Sequence, residues 1–224
     1  MSQPTVETTQ PVDLYREVHK GLRRSLFAVT EAAGALGESD APSTAEFVDR
    51  FGELDMMLTT HHGHEDSGEL VRLIGVHCAP LVGKIEEAHE QLTEAFAALR
   101  ESVVRVAAGS GDVDALYDGL VRFTTDYLTH MAVEEHQVMP ALQQHASADE
   151  LMSITMAIRT SVPPPDMVVF LKYMLPAMNP AERAAMLGGM KAGAPPEIFE
   201  MFWSAATDCL GEADLSDVAS RIGV

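Results

Sequence analysis

The chain has 224 residues, of which 46% are hydrophobic, and its 34 acidic and 15 basic residues give a formal net charge of −19. This hydrophobic content can form a sizeable core and excludes a wholly disordered chain, while the negative charge would repel nucleic acids and anionic lipids. The start lacks the features of a signal peptide, no stretch approaches about 18 uninterrupted apolar residues, and two cysteines are too few for a disulfide framework. We therefore expect a cytoplasmic protein with neither a nucleic-acid nor a membrane partner.

The pattern of apolar residues predicts an all-α fold. It predicts a flexible arm at residues 1–11. At residues 12–146 it predicts four helices in an antiparallel up-down-up-down bundle. In each helix, apolar residues recur every three or four positions, which gives the helix one buried face. Turn signals separate the helices at residues 38–42, at Gly75 ahead of Pro80, and at residues 109–112.

Polar residues interrupt these buried faces at one level of the predicted bundle. In an antiparallel hairpin, two residues lie level when the turn is midway between them, and the midpoints between successive histidines on the four faces fall on the three predicted turns. A glutamate follows the second and the fourth histidine by one helical turn. The complete set is His19, His61, Glu65, His89, His130 and Glu134. Because a buried carboxylate is costly unless it is paired or bound to metal, the set predicts a site for two metal ions, with two histidines on each ion and both glutamates bridging.

Four further residues are candidates to support this site. A ligating imidazole usually donates its second N–H to a carboxylate or a carbonyl, and Glu86 and Asp126 precede two of the histidines by about one helical turn. Glu86 and Asp126 fit ion pairs on the protein surface equally well. Tyr15 and Tyr127 lie at similar spacings, where they either line the site or pack in the core.

The remaining five histidines have simpler interpretations. His62 and His136 fall off the predicted buried faces, and His77 and His145 lie near helix ends. His64 is the hardest to exclude as a ligand, and shifting the register to His62-x-x-x-Asp66 keeps a similar motif but moves it off the core face.

For residues 147–224, the sequence predicts a C-terminal helical extension of four or five short helices packed on the bundle. Ser147 with Glu150, and Asn179 with Glu182, have the spacing of capping boxes. The segment contains eight methionines and no histidine, which excludes an independent histidine-based metal centre. A methionine stripe usually forms adaptable core, and a dimer interface is the alternative.

The motif strings resemble the hemerythrin-like His-His-Glu (HHE) cation-binding family across about residues 12–145. The strings are HHGHED at 61–66 and HMAVEE at 130–135, the second leading into Met139-Pro140. The resemblance implies two non-haem iron ions with an oxo or hydroxo bridge, held by the six residues above, with manganese and zinc as weaker candidates. Oxygen-carrying members have a further histidine where this chain has Ile85, and an aspartate where it has Glu135. The chain is therefore more similar to the bacterial, including actinobacterial, hemerythrin-like branch.

This resemblance leaves three classes of function open. The first is a carrier or sensor of dioxygen or iron, and the second is an enzyme acting on hydrogen peroxide, in the manner of a catalase, or on nitric oxide. The third is a regulatory module that the metal stabilises without turnover. A ferritin-like oxidase is disfavoured because its Glu-x-x-His motif should occur on two helices, whereas only Glu86 to His89 fits. The expected oligomeric state is a monomer or a homodimer.

Overall fold

The computed structural model describes residues 12–37, 41–66 and 68–224, and these residues form helices and no strand. The predicted all-α class is confirmed, and the predicted arm, residues 1–11, lies outside the described residues. No helix in the described ranges combines the length and the apolar character that crossing a membrane requires. In chain order the helices are α1 (Arg16–Gly34), α2 (Ala41–Glu65), α3 (Gly68–His77), α4 (Ala79–Ala107), α5 (Val113–Val133), α6 (Met139–His145), α7 (Ala148–Ser161), α8 (Pro164–Ala177), α9 (Pro180–Gly193), α10 (Pro196–Cys209) and α11 (Glu212–Ile222), with a π-helical turn, Glu134–Val138, between α5 and α6.

Four long helices, α1, α2, α4 and α5, pack around one core. Helix α1 contacts α2 and α5, and α4 contacts the same two helices. Between α4 and α5, His89 lies beside His130 and Phe96 lies beside Phe123, so these two helices run in opposite directions. The up-down-up-down order of the whole bundle stays a prediction.

Two of the three predicted turns can be compared with described residues. The third predicted turn separates α4 from α5, where the Asp112 side chain caps α5 by accepting a hydrogen bond of 2.9 Å from the Ala115 N–H. The second, at Gly75, is wrong because α3 runs through it. The chain instead leaves α2 at Glu65, and Gly68 adopts φ 73°, which glycine takes without steric cost.

The C-terminal extension shares its core with the bundle. Helix α8 packs on α1 and on α10, and both predicted capping boxes are present. Met167, Met174, Met178 and Met186 are buried in the cluster that contains the apolar faces of α1, α2, α4 and α5. These methionines therefore pack as core, while the division of the chain at residue 146 stays a prediction.

The contact between α1 and α8 is close because α1 has a glycine there. A Cβ added to Gly21 would lie 2.5 Å from Met174 Cγ and 3.3 Å from Met174 Cα, whereas one added to Gly52, on an exposed part of α2, would meet nothing within 4 Å. Overpacking of this kind typically costs about 1 to 3 kcal/mol.

We expect Gly21→Val to lower the free energy of unfolding by about 2 to 3 kcal/mol, because the added side chain pushes α8 away from α1. The measurement is urea unfolding of the metal-free protein. Gly52→Val is the matched control and should not destabilise, since valine is the better helix former. Equal stability of the two variants would contradict the close helix contact.

Candidate metal centre

Four histidines from four helices meet as two pairs inside the bundle. His19 of α1 and His61 of α2 bring their Nε2 atoms to 3.2 Å from each other, and His89 of α4 and His130 of α5 bring theirs to 3.1 Å. All four side chains are buried. The apolar spacing that buries one face of each helix therefore also turns these imidazoles inward.

Glu65 lies between the two pairs. Its Oε1 is 3.1 Å from His61 Nε2, and its Oε2 is 3.5 Å from His89 Nε2. One carboxylate thus directs an oxygen towards each histidine pair.

Glu134 makes the same arrangement from the first position of the π turn that follows α5. Its Oε2 is 3.3 Å from His19 Nε2, and its Oε1 is 3.2 Å from His130 Nε2. The six residues predicted from the sequence therefore lie together, and the two carboxylates each span both pairs. This geometry provides two adjacent positions, each bordered by two imidazole nitrogens and two carboxylate oxygens.

The carboxylates fit metal ligands better than hydrogen-bond acceptors. Both oxygens of Glu65 and Oε2 of Glu134 are buried and accept no hydrogen bond, although imidazole nitrogens lie close to them. Ligands at about 2.0 to 2.1 Å from an ion are separated by about 2.9 to 3.3 Å, close to the distances between neighbouring nitrogens and oxygens here. Because unpaired buried polar atoms are rare and costly, the arrangement fits a pair of cations.

Without metal, the site has to hold protons. Burial, followed by the charge of Glu134, raises the pKa of Glu65 well above its ordinary value. Burial also opposes ionisation of Glu134, but the close imidazoles of His130 and His19 and their charge outweigh it and hold the pKa of Glu134 well below its ordinary value. Of the two carboxylates, Glu65 is the one that burial and the neighbouring charge of Glu134 push towards the protonated form in the metal-free protein.

Comparison with family models decides the family. The model of the hemerythrin HHE cation binding domain matches residues 10–142, which is more than half of the chain. The chain belongs to the hemerythrin HHE cation-binding family. Comparisons with curated proteins and with solved structures gave no match. The HHE match includes all six residues of the site and ends before α7, so helices α7 to α11 lie outside it.

Two of the site histidines contact a carboxylate through Nδ1, the ring nitrogen that faces away from the metal centre. Glu135 Oε1 lies 2.9 Å from His19 Nδ1, and both Glu135 oxygens accept hydrogen bonds from Arg23, of 2.7 and 2.8 Å. Asp66 Oδ1 lies 2.5 Å from His89 Nδ1. Such contacts fix the ring orientation and leave Nε2 as the free nitrogen.

The sequence had suggested other residues for this supporting role. Glu86 and Asp126 are both exposed, and Asp66 rather than Glu86 contacts His89. Each observed partner directly follows a bridging candidate in the sequence, Asp66 after Glu65 and Glu135 after Glu134. Helical spacing conceals them, because α2 ends at the first pair and the π turn begins at the second.

His62 is closer to the HHE site than the sequence suggested. Its ring stacks on His89 at 4.5 Å between centroids, and its Nε2 lies 3.0 Å from the Tyr127 hydroxyl. Ligand atoms from His62, Glu65, His89 and His130 all lie within 4.8 Å of one another. The position beside His89 and His130 can therefore gain a third imidazole, from His62 of α2.

Burial lowers the pKa of His62 to about 4, so this ring is neutral near pH 7. Burial also raises the pKa of Tyr127 well above its ordinary value, so its hydroxyl keeps its proton and is able to donate a hydrogen bond to His62 Nε2. His62 thus has to give up this hydrogen bond before that nitrogen can bind an ion.

Tyr15 borders the other histidine pair. Its ring lies 5.2 Å from that of His19, and its buried hydroxyl has no hydrogen-bond partner. Burial, followed by the charge of Glu134, raises the pKa of Tyr15 well above its ordinary value. A protonated, unpartnered donor therefore lies beside the HHE site.

The other histidines have structural surroundings. His64 lies 2.8 Å from the Ser161 hydroxyl, His136 is exposed, and His77 and His145 stack on each other. None of these four belongs to a cluster of three or more potential ligands among the described residues.

We expect Glu135→Gln to weaken metal binding by about 10- to 100-fold, because the amide holds the His19 ring less firmly than the carboxylate does. The measurement is a metal titration in the presence of a competing chelator. Glu86→Gln, on the exposed face of α4, is the control and should bind metal normally. The same loss in both variants would show that Glu135 has no special role at His19.

Proposed function

We propose that the chain holds two non-haem iron ions and that this centre binds or reacts with dioxygen or a related small molecule, either hydrogen peroxide or nitric oxide. The supporting observation is the pair of buried carboxylates, each directing one oxygen towards each histidine pair. Membership of the HHE cation-binding family agrees with a cation at this position.

The donor set favours iron or manganese over zinc. Each position offers two imidazole nitrogens and two carboxylate oxygens, a set that suits iron and manganese. Either metal prefers five or six ligands, so coordination positions remain for a small molecule. Zinc is satisfied by four ligands and would be inert to redox chemistry.

The residues of the chain prepare the site for this chemistry. Bound iron supplies the electrons that dioxygen or peroxide accepts. Glu135 and Asp66 orient the rings of His19 and His89, and the apolar core around them excludes bulk water. The protonated Tyr15 hydroxyl is a nearby source of a hydrogen bond or a proton.

The test is an anaerobic, ferrous-loaded sample mixed with oxygen while its near-ultraviolet and visible spectrum is recorded. About two iron ions per chain and a band that forms with oxygen and disappears at low oxygen would support a carrier or sensor. Irreversible oxidation would favour an enzyme acting on peroxide or nitric oxide. No spectral change with fully loaded iron would overturn oxygen reactivity and favour a regulatory module that metal only stabilises.

We also propose a location and partners for the protein. A cytoplasmic protein with no nucleic-acid or membrane partner, acting as a monomer or homodimer, is consistent with the net charge of −19 and the free Cys78 and Cys209.

A further inference from the structure

A cavity of about 100 Å³ lies between the bundle and the C-terminal extension. On one side it is bordered by the start of α1 and the end of α2. On the other side, its wall includes Met167, Phe170, Met174 and Met186, which lie beyond the 10–142 family match. The extension therefore builds a chamber that the HHE domain alone does not contain.

The inner end of this cavity is the candidate metal centre. His61, Glu65 and Tyr15 line it. The two Glu65 oxygens and the Tyr15 hydroxyl are buried and have no hydrogen-bond partner. Polar atoms that lack a hydrogen-bond partner thus border one end of the cavity, and apolar side chains from α8 and α9 line the opposite wall.

The charged groups at the cavity are already engaged. Arg159 of α7 pairs with Glu17 of α1 at 2.6 Å, and the Asp13 carboxylate accepts the backbone N–H groups of Tyr15 and Arg16. Among the described lining residues, no unpaired arginine or lysine remains to hold an anion. The cavity therefore suits an uncharged occupant.

We propose that this cavity binds a small uncharged molecule with an oxygen head and a short apolar body, of the class of alkyl hydroperoxides and their alcohols. The head lies beside Tyr15 and Glu65, and the body lies against the methionine and phenylalanine wall. A cavity of about 150 Å³ holds benzene, which has six heavy atoms, so this volume fits about four, and the partly open cavity leaves room for one or two more at its mouth. Dioxygen and hydrogen peroxide are smaller and need no such wall.

The hydroperoxide part of this inference rests on the proposed iron function, whereas alcohol binding does not. In the reaction, the O–O bond breaks, the hydroperoxide accepts two protons and one electron from each ferrous ion, and alcohol and water leave. The apolar wall contacts the alkyl group of the hydroperoxide, and the cleavage of the O–O bond takes place at the metal centre.

The binding test uses two probes on the metal-free and the metal-loaded full chain: tert-butanol, followed by ligand-observed NMR, and xenon, followed by its own NMR shift. Both should bind. Val162→Phe, which fills the cavity from the end of α7, should weaken both at least tenfold, with Thr155→Phe as a second filling variant if the first does not fold. Val104→Phe, at an exposed position of α4, should change neither.

The variant Tyr15→Phe tests whether the oxygen head of the bound molecule contacts the Tyr15 hydroxyl. It should weaken tert-butanol about fivefold, the effect of one hydrogen bond, and leave xenon unchanged. Absence of binding in the wild type, or binding that survives both filling variants, overturns the proposal.

A kinetic arm tests the hydroperoxide itself on the ferrous-loaded protein. Val162→Phe should slow oxidation by tert-butyl hydroperoxide at least tenfold and leave oxidation by hydrogen peroxide unchanged. Equal slowing of both oxidants overturns selection by the wall. If iron does not react at all while tert-butanol still binds the metal-free protein, the proposed function fails and the cavity assignment stands.

Discussion

Removing the metal is expected to lower the free energy of unfolding by about 4 kcal/mol and the melting temperature by about 8 to 16 °C. The reason is that Glu65 and Glu134 are buried, and three of their four oxygens accept no hydrogen bond. A carboxylate without its cation must ionise in a medium of low dielectric constant or take up a proton.

Differential scanning calorimetry before chelation, after chelation and after reloading measures this effect. Reloading should restore the original melting temperature. Equal melting temperatures in all three samples would contradict metal binding at these carboxylates.

The variant Glu65→Gln provides an internal control because its effect should change sign with metal. In the metal-free protein it removes a buried carboxylate whose pKa is raised by burial, so the variant should be at least as stable as the wild type. In the presence of metal it removes a bridging oxygen, so the variant should be less stable than the loaded wild type. The same sign in both states would contradict a charge-based cause.

The second large effect is on metal stoichiometry. We expect Glu65→Ala and Glu134→Ala to reduce bound iron from about two ions per chain to one or fewer, because each carboxylate lies between both histidine pairs. Metal analysis after gel filtration measures the bound iron. His136→Ala, at an exposed position, should keep the wild-type stoichiometry.

Equal losses of iron in the glutamate variants and in His136→Ala would show that Glu65 and Glu134 are not the ligands.

The same assay tests the role of His62. Because its Nε2 is engaged with the Tyr127 hydroxyl, His62→Ala should keep two ions, with the second bound more weakly than in the wild type. Loss of the second ion would identify His62 as a direct ligand.

The positions of the six site residues could be predicted because helical periodicity determines which side of a helix is buried. His19, His61, His89 and His130 all continue apolar faces, and the structure turns each of them inward. The predicted turn at Gly75 does not exist, because α3 runs through it, yet His61 and His89 still meet Glu65.

The supporting residues could not be predicted because they depend on where helices deviate from regular geometry. Asp66 reaches His89 just after α2 ends, and Glu135 reaches His19 from within the π turn. Regular i,i+3 and i,i+4 spacing instead predicts Glu86 and Asp126 as the supporting residues. The cavity wall was also hidden, since Met167 and Met174 meet the bundle only through long-range packing.

The π turn between α5 and α6 also has a consequence for the helical phase. A π turn carries one residue more than the equivalent stretch of α-helix, and one residue corresponds to about 100° of rotation. Before the turn, α5 directs His130 to the metal centre; after it, Met139 and Leu142 of α6 pack in a separate cluster with α3. Deleting one residue from 136–138 would keep the chain helical and leave the ligands in phase, yet it would rotate the apolar face of α6 away from α3.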